Sequence, residues 1–138
     1  MLNLSAEASL ALEDRLRAEN IAWITTVTAD GQPQSSPVWF LWDEGEFLVY
    51  AQPHSRKLRN IRVQPKVGLH LDTDADGGRV VTFEAAARIS EGQPPVHEAE
   101  AYLAKYRDAI AGLGWTPEQM AADYSIALRL TPTRVRLY

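Results

Sequence analysis

The order of apolar and polar residues changes character several times along the chain. Residues 5–19 set Leu10, Leu12 and Leu16 among acids, arginines and alanines, which predicts an amphipathic helix capped near Ser5. β-Branched residues take over in IAWITTVT (21–28), and Asp30-Gly31 then supplies a dipeptide that favours a hairpin turn. PQSSPVWFLW (33–42) reads as the returning strand, DEGE (43–46) as a second turn, and FLVYAQ (47–52) as a third strand. KVGLHLD (66–72) and RVVTFEAAARIS (79–90), joined by TDADGG, give strands four and five. The period then lengthens to that of a helix, with Val96, Ala99, Leu103, Tyr106 and Ile110 recurring until Gly112 or Gly114. Thr116 as N-cap and Pro117 at the first helical position open another short helix. SIALRLTPTRVRLY (125–138) closes as one strand, broken or bulged at Pro132. Six or so antiparallel strands with peripheral helices predict the α+β class, as a small β-barrel in one domain spanning 1–138.

Between strands three and four lies AQPHSRKLRNIRVQP (51–65), which predicts a short helix over about 55–63 with Ser55 as N-cap. Arg56 and Lys57 occupy its first turn, where the helix dipole favours acids, and Arg59 and Arg62 add further positive charge. Two readings remain open. One is a solvated face whose arginines make surface ion pairs. The other is an anion site, in which free backbone N–H groups, the Ser55 hydroxyl, Arg56 and Lys57 converge on a phosphate. Asn60 lies about one turn on from Arg56 and would reach the same ligand, while Arg59, Arg62 and Lys66 face elsewhere.

Composition narrows the field. With 138 residues, 46% hydrophobic and 23% charged, the chain is that of an ordinary globular protein. It has no cysteine, which excludes disulfides, thiol catalysis and thiolate metal sites. A net charge of −4 argues against broad nucleic-acid binding. No apolar run approaches the roughly 20 residues that span a bilayer, and the N-terminus lacks the basic and apolar regions of a leader. The expectation is a cytoplasmic protein without membrane attachment. His54, His70 and His97 are scattered, and no metal spacing, nucleophile elbow, Walker loop or G-x-G-x-x-G is present. A chain so equipped binds a small molecule or borrows a cofactor's reactivity.

SSPVWFLW (35–42) is the second candidate. Alternation sets Ser36, Val38, Phe40 and Trp42 on one side and Ser35, Pro37, Trp39 and Leu41 on the other. Both sides are apolar, as in a wall between a barrel core and a partner subunit. Pro37 cannot donate to a ladder, so an interruption is expected there, freeing backbone groups for a flat heterocycle. Packing alone accounts for the tryptophans equally well.

Taken together, residues 24–71 resemble the cofactor-binding half of the pyridoxamine 5′-phosphate oxidase-like split β-barrel proteins, in particular their flavin- and deazaflavin (coenzyme F420)-dependent reductases. The shared order is strand, D-G turn, P-V-W strand, acidic turn, then S-R-K-x-x-N before V-x-L. The resemblance implies that Ser55, Arg56 and Lys57 hold the cofactor phosphate, with Asn60 a further candidate. It implies that Ser36, Pro37, Val38 and Trp39 line the ring and that Tyr50 and Ala51 flank the ribityl chain. It also implies a homodimer with the cofactor between subunits. In the closing TRVRLY, Arg134 and Arg136 alternate without the tryptophan of pyridoxamine phosphate oxidases proper, a departure that argues against vitamin B6 oxidation as its activity. The expected function is an F420-dependent oxidoreductase acting on an unsaturated or quinone-like small molecule. The alternatives are an FMN-dependent oxidase or reductase, and a non-catalytic carrier or sensor of flavin, F420 or haem-like ligands.

Overall fold

The computed structural model describes residues 3–138; Met1 and Leu2, the first positions of the expected 1–138 domain, lie outside the described residues. Helix α1 (Ala6–Ala18) leads into strands β1 (Ile21–Val27), β2 (Pro33–Trp39), β3 (Leu41–Asp43) and β4 (Glu46–Ala51). Helix α2 (Arg56–Val63) follows, then β5 (Lys66–Leu71) and β6 (Val81–Ile89). A 3-10 turn at Val96–Glu98, helices α3 (Glu100–Gly112) and α4 (Pro117–Asp123), and strand β7 (Ile126–Leu137) complete the order.

The strands form one antiparallel sheet in the order β2-β1-β5-β6-β7-β4-β3, curled into a split half-barrel of the α+β class. Local chemistry places most elements where the sequence puts them. Ser5 caps α1 by accepting from Ala8 N at 3.1 Å. Thr116 and Gln119 close a capping box over α4, with Pro117 at its start. Glu44 and Gly45, with φ of 53° and 75°, make the two-residue turn that joins β3 to β4, with Asp43 opposite Glu46. The last strand bulges as expected near Pro132. Glu84 pairs with Arg134 and Ala85 with Pro132, leaving Thr133 as the extra residue.

Seven strands stand where six or so were expected, because the single strand 33–42 is two. β2 pairs with β1 at one edge of the sheet and β3 with β4 at the other, and Phe40 alone joins them. The interruption therefore falls at Phe40, not at Pro37. β2 runs through Pro37 unbroken, with Pro37 opposite Trp23, because an edge strand is where a missing N–H costs the ladder least. At Phe40 the backbone leaves the sheet and α3 receives it. The Tyr106 hydroxyl accepts the Phe40 N–H at 2.8 Å and shares its own hydrogen between the Asn20 and Phe40 carbonyls at 2.7 and 2.9 Å. Lys105 Nζ donates to the Phe40 carbonyl at 2.8 Å and sits 4.0 Å from the centre of the Phe40 ring. A buried polar backbone outside the ladder is thereby satisfied.

Two apolar clusters result. The barrel core gathers α1 residues Leu12 and Leu16 with inward side chains such as Ile24, Phe40, Phe47 and Leu128. The second lies between β4 and the helices, with Leu48, Tyr50, Tyr102, Tyr106 and Ile110. Strand β4 alternates between them, Phe47 and Val49 to one and Leu48 and Tyr50 to the other, so both its faces are buried. The outer side of the 39–41 stretch is covered in part by α3 of the same chain: Trp39 stacks on Tyr106 with ring centres 4.8 Å apart, and Leu41 packs into the same cluster.

Candidate functional site

Helix α2 forms as its N-cap predicts, with Ser55 Oγ accepting from Leu58 N at 3.4 Å. It docks through Leu58 and Ile61, 0% and 4% exposed, and no acid lies in its first turn. Its four cations, Arg56, Lys57, Arg59 and Arg62, have no carboxylate partner among the described residues, although Arg15, Arg17, Arg88, Arg129 and Arg136 all do. Surface ion pairs, one of the two readings of this helix, are therefore not what holds it.

Three concavities surround α2. The first, of about 450 Å³, lies between the end of β2, β4 and the α3–α4 region. Pro37, Val38 and Trp39 line it together with Tyr50, Gln52 and Lys57, and the α3–α4 region contributes Tyr102, Leu113, Trp115, Met120 and Tyr124. The second, of about 340 Å³, is lined by Pro53, His54, Ser55, Arg59 and Arg62. The third, of about 490 Å³, is lined by Arg56, Arg59, Asn60 and residues of the β1–β2 turn.

The expected site residues thus separate. Pro37, Val38, Trp39, Tyr50 and Lys57 meet in the first groove. Ser55 and Arg56 line the other two, so the S-R-K triplet opens onto three sides of the helix. Ala51 is 2% exposed in the barrel core and Ser36 lies on β2 outside the groove lining. Asn60 is also differently engaged: its amide nitrogen, buried, donates to Thr26 Oγ1 at 3.0 Å and Gln34 Oε1 at 2.9 Å, tying α2 to β1 and β2. Arg59 and Arg62, which the sequence reading set apart from the phosphate group, line the same concavity as Ser55.

Residues outside the expected set shape the groove. Gln52, which lines the groove, donates from Nε2 to Asp123 Oδ2 at 2.9 Å and so joins the end of β4 to α4. Tyr50 donates to the Pro94 carbonyl at 2.6 Å and accepts from Gln93 Nε2 at 3.2 Å. Gln93 Oε1 in turn accepts from Arg129 at 2.7 Å, and Arg129 also pairs with Asp43 at 3.0 Å. Burial raises the Tyr50 pKa, so its hydroxyl stays neutral and hydrogen-bonded. Burial lowers that of Lys57, whose ammonium is half-buried with no counter-charge. Among the described residues no group of histidines, cysteines and acids could hold a metal ion, and no helix is long and apolar enough to cross a membrane.

Known proteins share this architecture. A conserved hypothetical protein from Mycobacterium tuberculosis superposes with a TM-score of 0.74 at 25% identity, covering 98% of this chain and 85% of that one. An F420 reductase matches with a TM-score of 0.69 at 25% identity, over 90% and 94% of the two chains. HutZ, the haem storage protein from Vibrio cholerae, matches with a TM-score of 0.66 over 93% and 92%; at 18% identity the likeness is one of fold. The sequence profile of pyridoxamine 5′-phosphate oxidase matches residues 9–138, and with the split barrel and its neighbours this establishes that the chain belongs to the pyridoxamine 5′-phosphate oxidase-like family.

Proposed function

We propose that this protein is an oxidoreductase that binds a flavin-type cofactor, coenzyme F420 in preference to FMN, and acts on an unsaturated or quinone-like small molecule. The observation that carries the reading is the pairing of an aromatic-lined groove with a helix whose cations have no carboxylate partner among the described residues. The donor set suits such a ligand. Pro37, Val38 and Trp39 offer a flat apolar wall to a ring, and the cations of α2 offer charge-assisted bonds to an anionic tail. Likeness to an F420 reductase at 25% identity over most of both chains supports the cofactor class.

When bound, the deazaflavin supplies the hydride chemistry. The chain's part is to bind and orient. Trp39, stacked on Tyr106, is held in place, and Trp115 and Tyr124 in the same lining help to exclude water. Preference for F420 rests on its lactyl-polyglutamate tail, whose carboxylates extend beyond the phosphate. This acidic chain places five of its 14 lysines and arginines at positions 56 to 66, more than one phosphate requires. The reading includes a homodimer, with the partner covering the open side of the site.

Titrating F420 and FMN at low and high salt tests it. F420 binds more tightly at low salt, and its advantage shrinks as ions screen the outer arginines. Tighter binding of FMN moves the assignment to an FMN-dependent oxidase or reductase, and failure to bind either overturns the reading. Turnover with a panel of enones and quinones separates an enzyme from a ligand carrier.

A further inference from the structure

Helix α2 divides its positive charge between two sides. At about 100° per residue, Lys57 falls between Asn60 and Ile61, on the arc that docks against the sheet. Arg56, Arg59 and Arg62 fall on the opposite arc, beside the exposed Val63. The concavities follow the same division. Lys57 shares the groove of Pro37, Val38, Trp39 and Tyr50, whereas Arg59 and Arg62 line a separate space with Ser55. The Ser55 oxygen accepts from Leu58 N, but its hydrogen has no acceptor among the described residues and is free for a ligand.

We propose that Lys57 serves the flat ring of the cofactor rather than its phosphate, and that the anionic tail falls to Arg59 and Arg62 with the Ser55 hydroxyl. This refines the proposed function and rests on it. A half-buried ammonium with no carboxylate partner among the described residues has lost part of its hydration and favours a counterpart supplied by a ligand. The groove that Lys57 lines also carries Trp39 and Tyr50, and aromatic side chains of this kind suit a planar group. A flavin or deazaflavin ring carries two carbonyls on its pyrimidine portion, which accept hydrogen bonds from an ammonium. That portion also gains electron density on two-electron reduction. A cation there binds the ring in either state and favours the reduced one. The phosphate, a more strongly hydrated anion, is better matched by arginine forks on the open side of the helix.

The test uses ligand pairs that differ in the phosphate: FMN with riboflavin, and F420 with its phosphate-free deazariboflavin core. Lys57→Gln, checked for unaltered folding by circular dichroism and thermal melting, weakens both members of each pair by the same factor, roughly tenfold for a lost charge-assisted contact. Arg59→Ala and Arg62→Ala weaken FMN and F420 and leave the phosphate-free ligands unchanged. In addition, the midpoint potential of bound FMN falls in Lys57→Gln and holds in Arg59→Ala. Loss confined to the phosphorylated ligands in Lys57→Gln overturns the proposal and returns Lys57 to the phosphate; an affinity unchanged for all four overturns it by showing that Lys57 serves neither group. If the unaltered protein binds none of them, the proposed function itself fails, a result distinct from a misassigned lysine.

Discussion

The arginines of the barrel and the cations of α2 are treated in opposite ways. On the strands, Arg88 forks onto Glu46 at 2.6 and 3.0 Å, Arg129 reaches Asp43 at 3.0 Å, and Arg136 reaches Glu84 at 2.5 Å. On α2, four cations in sequence neighbourhood meet no carboxylate among the described residues, in a chain with 18 acids to 14 bases. Acids are not scarce; they are simply elsewhere. Charges that stabilise a fold come with partners, and charges held against local preference, such as Arg56 and Lys57 in the first turn of a helix, mark a place kept for something else.

That contrast can be broken at its strongest point. Arg129, only 9% exposed, holds Asp43 and Gln93 and lies 3.8 Å from Glu46. Arg129→Ala leaves Asp43 without its cation, Gln93 without its donor and Glu46 with Arg88 alone, and is expected to lower unfolding free energy by about 3 kcal/mol in denaturant titration. Glu46→Gln comes next, losing charged bonds to Arg88 and Thr131, about 1.5–3 kcal/mol. The bond from Arg88 is the main cause that holds the Glu46 pKa down, from 4.5 to about 2. A carboxyl depressed in the folded state stabilises above its unfolded pKa, so this contribution is lost as pH falls from about 4.5 toward 2. Stability measured across that window drops in the unaltered protein, and the Glu46→Gln profile lacks that component.

On α2 the sign reverses. Lys57→Met removes a half-buried, unpartnered charge and is expected to raise the stability of the ligand-free protein by about 0.5–2 kcal/mol. Because the folded state lowers the Lys57 pKa, the cost of burying its charge is relieved as pH rises toward 10.5, so the unaltered protein gains on the variant with increasing pH. Thermal melts of both across that range read it directly. Smallest of all, Arg56→Ala and Arg59→Ala shift ligand-free stability by no more than about 0.5 kcal/mol, Arg56→Ala upward since it leaves the positive end of the helix dipole. A larger loss in either would mean these arginines hold structure after all.

The features written in neighbouring residues were legible in the sequence: the caps at Ser5, Ser55 and Thr116, the Glu44-Gly45 turn and the bulge near Pro132. The break at Phe40 was not. Its cause is Tyr106 and Lys105, 66 and 65 residues further on, and PVWFLW carries no local mark of it. In the site, the groove wall at Pro37–Trp39 and the basic helix stood out by composition. The sidedness of Lys57 was available from helix spacing alone, once Leu58 and Ile61 were taken as the docking face. The α3–α4 part of the lining, with Trp115 and Tyr124, was hidden because it depends on how α3 and α4 fold back over β4. Asn60 shows the converse case, a polar residue in a basic stretch whose bonds turn inward to Thr26 and Gln34.

Strand β7 lies between β6 and β4, and this has a consequence for the order in which the protein assembles during synthesis. As the chain leaves the ribosome, β1, β2, β5 and β6 can pair among themselves, but β4 has only the three-residue β3 beside it. Its other edge waits for β7, and contacts such as Thr131 with Glu46 span 85 residues. Until then FLVYA, apolar on both faces, has its β7 edge unpaired. Closure is therefore a late, non-local event, slow by the measure of loop entropy. The nascent chain's interval of greatest risk of clumping runs from the appearance of residue 46 to that of residue 130.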